Sequence, residues 1–250
     1  MGDALEDYIK DIFSNSIDLS KHDAHKAHQE VFDYLGNQNN PPDMILKGGD
    51  SIEVKKIESI NSGLQLNSSY PKDKLYSNSN MITGECKESD GGKWDEKDII
   101  YAIGVVKKNH LQGLWFVYGD CYAANSEVYE RIRANITKGI EQSPNVELAD
   151  TKELARVNKV DPLGVTYLRV RGMWGIDNPI KVFDYLNLDV EANFFSHLIM
   201  SEEKFLSINK GDREALENLD MKKLIIKRTL VHSPNNPAKN IKSVVLSFTI

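Results

Sequence analysis

Hydrophobic positions change period several times along this chain, and each change predicts an element. Leu5, Tyr8, Ile9, Ile12 and Phe13 recur at helical spacing, so residues 4–13 form an amphipathic helix with Asp3 as its N-cap. The chain opens abruptly on this helix, so a segment ahead of it is expected to be missing. A polar helix follows around His22, His25 and His28. Period two takes over after the apolar run from Met44 to Leu46 and the pair Gly48-Gly49, with Ile52, Val54 and Ile57 apolar: a β-hairpin. Ile99 to Val106 and Leu114 to Tyr118 are apolar enough for central strands. Ser126 caps a helix running to about Ile140, and Thr166 to Trp174 reads as a strand. Residues 181–220 read as mainly helical, broken at Asn209-Lys210-Gly211. Leu224 to Leu230 and Ser243 to Ile250 form two strands across a Pro-containing loop. The alternation predicts an α/β fold with a mixed central β-sheet flanked by helices. We read it as one domain over residues 1–250, a core at 1–180 followed by C-terminal helices and a hairpin at 181–250.

Composition narrows the class. The 250 residues are 40% hydrophobic with 2 cysteines. No apolar run approaches the roughly 20 residues of a membrane helix, and the N-terminus lacks a signal peptide. Cys86 and Cys121 make no CxxC pair, which removes a zinc ribbon or disulfide framework and fits a reducing cytoplasm. A net charge of -6 counts against non-specific binding of nucleic acid. Local charge then matters: Lys55-Lys56, Lys72, Lys74, Arg131, Arg133, Arg156, Lys159, Arg169 and Arg171 are the candidates for a basic cleft.

Candidate chemistry lies in the hairpin. On its second strand Glu53 and Lys55 share one face while Ile52 and Val54 share the other. A two-residue turn at Gly48-Gly49 pairs Asp43 with Val54 and sends Asp43 and Glu53 to opposite faces. Bringing the two carboxylates together therefore requires a longer loop, a bulge, or strands that splay near Asp43. Two carboxylates about 4 to 6 Å apart repel unless a hard cation lies between them, and Mg²⁺ suits a site that must also hold phosphate oxygens and water. Lys55 beside them suits the orientation of water or the offset of phosphate charge.

Pro42-Asp43, nine intervening residues and Glu53-Val54-Lys55 resemble the PD-(D/E)XK nuclease motif. Longer blocks are similar to the NgoPII type of type II restriction endonuclease: Gly2-Asp3-Ala4-Leu5-Glu6-Asp7-Tyr8, Asn40-Pro41-Pro42-Asp43, Ile52-Glu53-Val54-Lys55-Lys56-Ile57-Glu58-Ser59, Leu66-Asn67-Ser68-Ser69, Arg156-Val157-Asn158-Lys159-Val160-Asp161-Pro162-Leu163 and Tyr167-Leu168-Arg169-Val170-Arg171-Gly172-Met173-Trp174-Gly175. They span about the first three quarters of the chain. The resemblance implies Mg²⁺-dependent cleavage of double-stranded DNA at GGCC. It implies Asp43, Glu53 and the Val54 carbonyl as metal ligands, and Lys55 attending the attacking water. Glu6, at the rim of the first helix's apolar stripe, is either a solvated core-edge residue or a further acid beside the metal. A palindromic target implies a homodimer, and the biology of such enzymes implies a matching DNA methyltransferase.

Other features are weighed against plainer readings. The three histidines read more readily as a solvated helix face than as a metal site. Residues 61–80, rich in Ser, Asn, Gly and Lys, form a long loop in which Asn67, Ser68, Ser69, Lys72 and Lys74 are expected to contact DNA. Arg169 and Arg171, one pleat apart, need anions: carboxylates of the protein, or phosphates and guanines of DNA. A repair or recombination nuclease without strict sequence choice is an alternative. So is a DNA-binding protein whose hairpin acids are structural.

Overall fold

The computed structural model describes residues 2–37, 40–144, 147–151, 153–219 and 224–250. The strands are β1 (Phe32–Asn37), β2 (Asn40–Leu46), β3 (Ser51–Ile57), β4 (Leu64–Asn67), β5 (Lys74–Tyr76), β6 (Glu96–Lys107), β7 (His110–Tyr118), β8 (Glu147–Leu148), β9 (Ala155–Asn158), β10 (Leu168–Val170), β11 (Trp174–Ile176), β12 (Phe195–Ser201), β13 (Leu224–Ser233) and β14 (Asn236–Thr249). The helices are α1 (Gly2–Ser14), α2 (Lys21–Val31), α3 (Gly84–Lys87), α4 (Ser126–Glu141), α5 (Pro179–Val182), α6 (Glu202–Ser207) and α7 (Lys210–Glu217). The cap expected of Asp3, and the basic pair Lys222-Lys223 ahead of β13, lie outside the side chains described.

A 9-stranded sheet runs β1-β2-β3-β6-β7-β12-β14-β13, with β5 also on β6. It is mixed: β3 runs parallel to β6 and β12 parallel to β7, while the other neighbours are antiparallel. Alternation along β6 sends Tyr101, Ile103 and Val105 into one core layer and Ile100 and Ala102 into the other. α1 covers the second layer, burying Leu5 and Ile9. Gly104 on β6 makes that approach possible, because a Cβ there would come within 2.6 Å of Leu5. The first layer is closed by Trp174, Ile176, Ile180, Phe183 and Leu186.

The mixed sheet flanked by helices is as expected, with three differences. Residues 181–220 are not mainly helical: Phe195–Ser201 is a strand inside the sheet, between β7 and β14. Phe195, His197 and Ile199 point into one layer, so this segment has period two. Thr166 to Trp174 is not one strand. It holds β10, paired with β9, and β11, paired with β4, both outside the large sheet. The long loop over 61–80 carries β4 and β5, which use backbone groups that a free loop would leave to water.

Candidate active site

The hairpin register brings the carboxylates to one face. Met44 pairs with Ile52 and Ile45 with Ser51, which sets Asp43 opposite Glu53, one residue away from a two-residue turn. Leu46 N–H donates to the Asp50 carbonyl (3.0 Å) and Gly49 N–H to the Leu46 carbonyl (3.0 Å), so Lys47, Gly48 and Gly49 form the loop. Gly48 takes φ +62, a conformation open to glycine at little cost. Beyond Met44 the backbone ladder gives way. The Val54 N–H donates instead to Asp43 Oδ2 at 2.6 Å, which fixes that carboxylate against β3.

Oxygens converge on the ammonium of Lys55. Nζ lies 2.6 Å from Glu53 Oε1, 3.1 Å from the Val54 carbonyl oxygen and 4.0 Å from Asp43 Oδ2. Burial, reinforced by the Glu53 charge, holds the Asp43 carboxyl well above the usual carboxylate range, while Lys55 and the Val54 N–H oppose the rise. Burial disfavours the Lys55 ammonium, but Glu53 and Asp43 outweigh it and keep that group charged. Glu53 Oε2 is buried and makes no hydrogen bond among the described residues. An anionic oxygen left without a donor is costly, and it is a position where a cation would be favourable. Two carboxylates and a carbonyl, already gathered about one positive charge, fit a hard divalent ion.

Around these groups is a cleft of about 110 Å³ lined by Asn37, Asn40, Asp43, Glu53, Lys55 and Asn67–Ser69, among others. Asn40 Nδ2 donates to the Met81 carbonyl (3.1 Å), closing one wall. Ser68 also borders a second depression with Arg133, Glu153 and Arg171, so the cleft continues toward basic groups. Asn37 and Glu153 carried no functional signal in the sequence, and Asn40 stood there only within the resembling block Asn40-Pro41-Pro42-Asp43, with no role of its own.

The remaining candidates fall in different places. Glu6 pairs with Lys10 at 2.8 Å and does not line the cleft, although its charge adds to the rise at Asp43. Among the described residues no three acidic, His or Cys side chains cluster as a metal site. His22 and His25 are exposed, as a solvated helix face requires, whereas His28 turns toward α1 and bonds to Asp11 at 2.8 Å. Lys72 was expected at the DNA surface but is 7% exposed. Its ammonium bonds to Ser69 Oγ and to the Tyr70 carbonyl. Burial pushes it down to about 8, opposed by the Glu53 charge, so it supports the 67–70 turn from beneath. Lys74 pairs with Glu96 at 2.5 Å. Arg169 and Arg171 both bond to Glu153, each at 2.6 Å, while remaining about half exposed. Their anion in this structure is a carboxylate of the protein.

The model of the NgoPII restriction endonuclease family matches residues 1–232. The type II restriction enzyme NgoPII of Neisseria gonorrhoeae is 49% identical, over 99% of this chain and 88% of that protein. No solved structure matches the chain.

Proposed function

Because this chain belongs to the NgoPII restriction endonuclease family, and is thereby a site-specific deoxyribonuclease, we propose that Asp43, Glu53 and Lys55 are its catalytic residues and Mg²⁺ its cofactor. The observation that carries this reading is the convergence of Glu53 Oε1, the Val54 carbonyl and Asp43 Oδ2 on one cationic point. Asp43, Glu53 and Val54 would hold the ion. When bound, it supplies positive charge to the scissile phosphate and acidifies water near it.

The chain's own groups account for the rest. Asp43, fastened through Val54 N–H, keeps its carboxylate aimed without reorganisation. Lys55 orients the attacking water and offsets charge that builds on the phosphate. The water oxygen bonds to phosphorus, the phosphorus–oxygen bond to one sugar breaks, and that oxygen leaves with a proton. Asn67, Ser68 and Ser69, on the cleft wall, bind the backbone beside the scissile bond. Arg169 and Arg171 are half-exposed and can exchange Glu153 for a phosphate or a guanine edge. The target is GGCC, the working form a homodimer with one cleft per strand, and a methyltransferase protects the host's sites in the cytoplasm.

A duplex carrying one GGCC, and the same duplex with that site altered, tests this reading in magnesium and in chelator. Cutting of the first alone, and only with magnesium, is expected. Equal cutting of both duplexes contradicts the sequence choice, and cutting in chelator contradicts the metal.

A further inference from the structure

Glu153 stands where two parts of the chain meet, and both its backbone groups are tied down. Its N–H donates to Thr151 Oγ1 at 3.1 Å, and its carbonyl accepts from Arg133 Nη2 on α4 at 3.3 Å. The next residue, Leu154, donates its N–H to the Val170 carbonyl at 3.0 Å and accepts from Thr137 Oγ1 at 2.7 Å. α4 on one side and β10 on the other therefore fix the point from which the Glu153 side chain departs. That point borders the cleft, because Ser68 lines both the cleft and the depression that holds Glu153.

From there one carboxylate holds two guanidinia. Arg169 donates from Nε to Oε2 at 3.0 Å and from Nη2 to Oε1 at 2.6 Å, and Arg171 donates from Nε to the same Oε1 at 2.6 Å. At its far end each guanidinium carries a further pair of N–H groups, on Nη1 and Nη2, that makes no hydrogen bond among the described residues. The side chains of Arg169 and Arg171 are 49% and 56% exposed against 16% for Glu153, so the carboxylate lies inside and the arginines reach out. Two parallel donors at the end of an arginine match O6 and N7 of guanine. Reading guanine therefore requires no release of Glu153. Spacing gives the grip a purpose: two residues of extended chain set their Cβ atoms roughly 6.7 Å apart, whereas stacked bases on one strand repeat about every 3.4 Å. The shared Oε1 draws the two guanidinia together against their mutual repulsion, toward the spacing of neighbouring guanines. We propose that Glu153 is a specificity-determining residue that positions Arg169 and Arg171 for adjacent guanines of one strand and stays bound to them in the DNA complex. The proposal rests on the guanine reading of those arginines given above.

Affinity of the full chain, read by fluorescence anisotropy with calcium in place of magnesium, tests it on three duplexes. One carries GGCC, one carries GGCC with 7-deazaguanine, which lacks the N7 acceptor, and one has the site altered. Loss of a carboxylate from a DNA-facing surface tightens binding to every sequence by charge alone, so the sign decides. Glu153→Gln is expected to weaken the GGCC complex by about 10- to 100-fold, with no loss on the altered site. The 7-deazaguanine penalty, present in wild type, should shrink in that variant, because both changes act on the same contacts. Glu153→Asp keeps the charge but withdraws the oxygens by one methylene, and it should lose affinity for GGCC alone. Equal or tighter binding of GGCC by Glu153→Gln, or the same loss on GGCC and the altered site, overturns the role of Glu153 and leaves the arginine reading standing. A wild type indifferent to 7-deazaguanine overturns both.

Discussion

Asp43 and Glu53 are held close together on one face of the hairpin, at an electrostatic cost. The Asp43 carboxyl is raised by burial and by Glu53, yet an amide oxygen could accept the same Val54 N–H. Asp43→Asn is therefore expected to abolish cleavage and to raise the melting temperature in chelator by relieving like-charge repulsion. A lower melting temperature would mean that the carboxylate stabilises the hairpin. Glu53→Gln should reduce cleavage by at least about a hundredfold with little change in DNA affinity. The hairpin was the most legible part of the sequence, because the side-chain period of two turns a demand for adjacent carboxylates into a demand for an irregular register. Lys72 was illegible for the opposite reason. A lysine in a Ser- and Asn-rich stretch has the signature of an exposed contact, and only the Tyr70 and Ser69 partners put it indoors.

Elements show the same division. The alternation over Ile99 to Val106 and Leu114 to Tyr118 marked β6 and β7 correctly as central. β12 was missed because charged and helix-favouring residues surround Phe195–Ser201, and its place is set by partners far off in the chain, β7 and β14. Two contacts fix it there and are open to test. His197 donates from Nε2 to the Asp189 carbonyl at 2.9 Å and shares Nδ1 with Ser247. Burial lowers its pKa below 6.5, only partly opposed by the Asp189 carbonyl. The unfolded chain then binds more protons than the fold just below that value, so stability is complete above it and falls as pH drops through it. Melting curves should show that fall, and His197→Gln should flatten it. After β12, α6 delivers Lys204 to Asp50 and Asp98, both at 2.7 Å. Lys204→Met leaves Asp50 to the Tyr118 hydroxyl and Asp98 to Lys74 at 3.8 Å, and should cost about 1 to 3 kcal/mol in denaturant unfolding.

For the whole molecule, a net charge of -6 does not describe each region. Four carboxylates form the Asp43–Glu53 pair and the Asp50–Asp98 anchor, while Arg133 and Arg171 meet around Glu153 beyond Ser68. Composition sums over these regions and cannot separate them. The order of segments can, once the hairpin is placed on β6, because the parallel pairing of β3 with β6 sets Glu53 beside Tyr101 and aims both carboxylates into one cleft. The most direct measurement is digestion of a plasmid of known sequence by wild type and by Glu53→Ala, with and without magnesium. Discrete fragments mapping to GGCC, dependent on magnesium and absent with Glu53→Ala, are the expected result. Smeared products would contradict the sequence choice, and a folded wild type that binds DNA without cutting it would reduce the Asp43–Glu53 pair to scaffold.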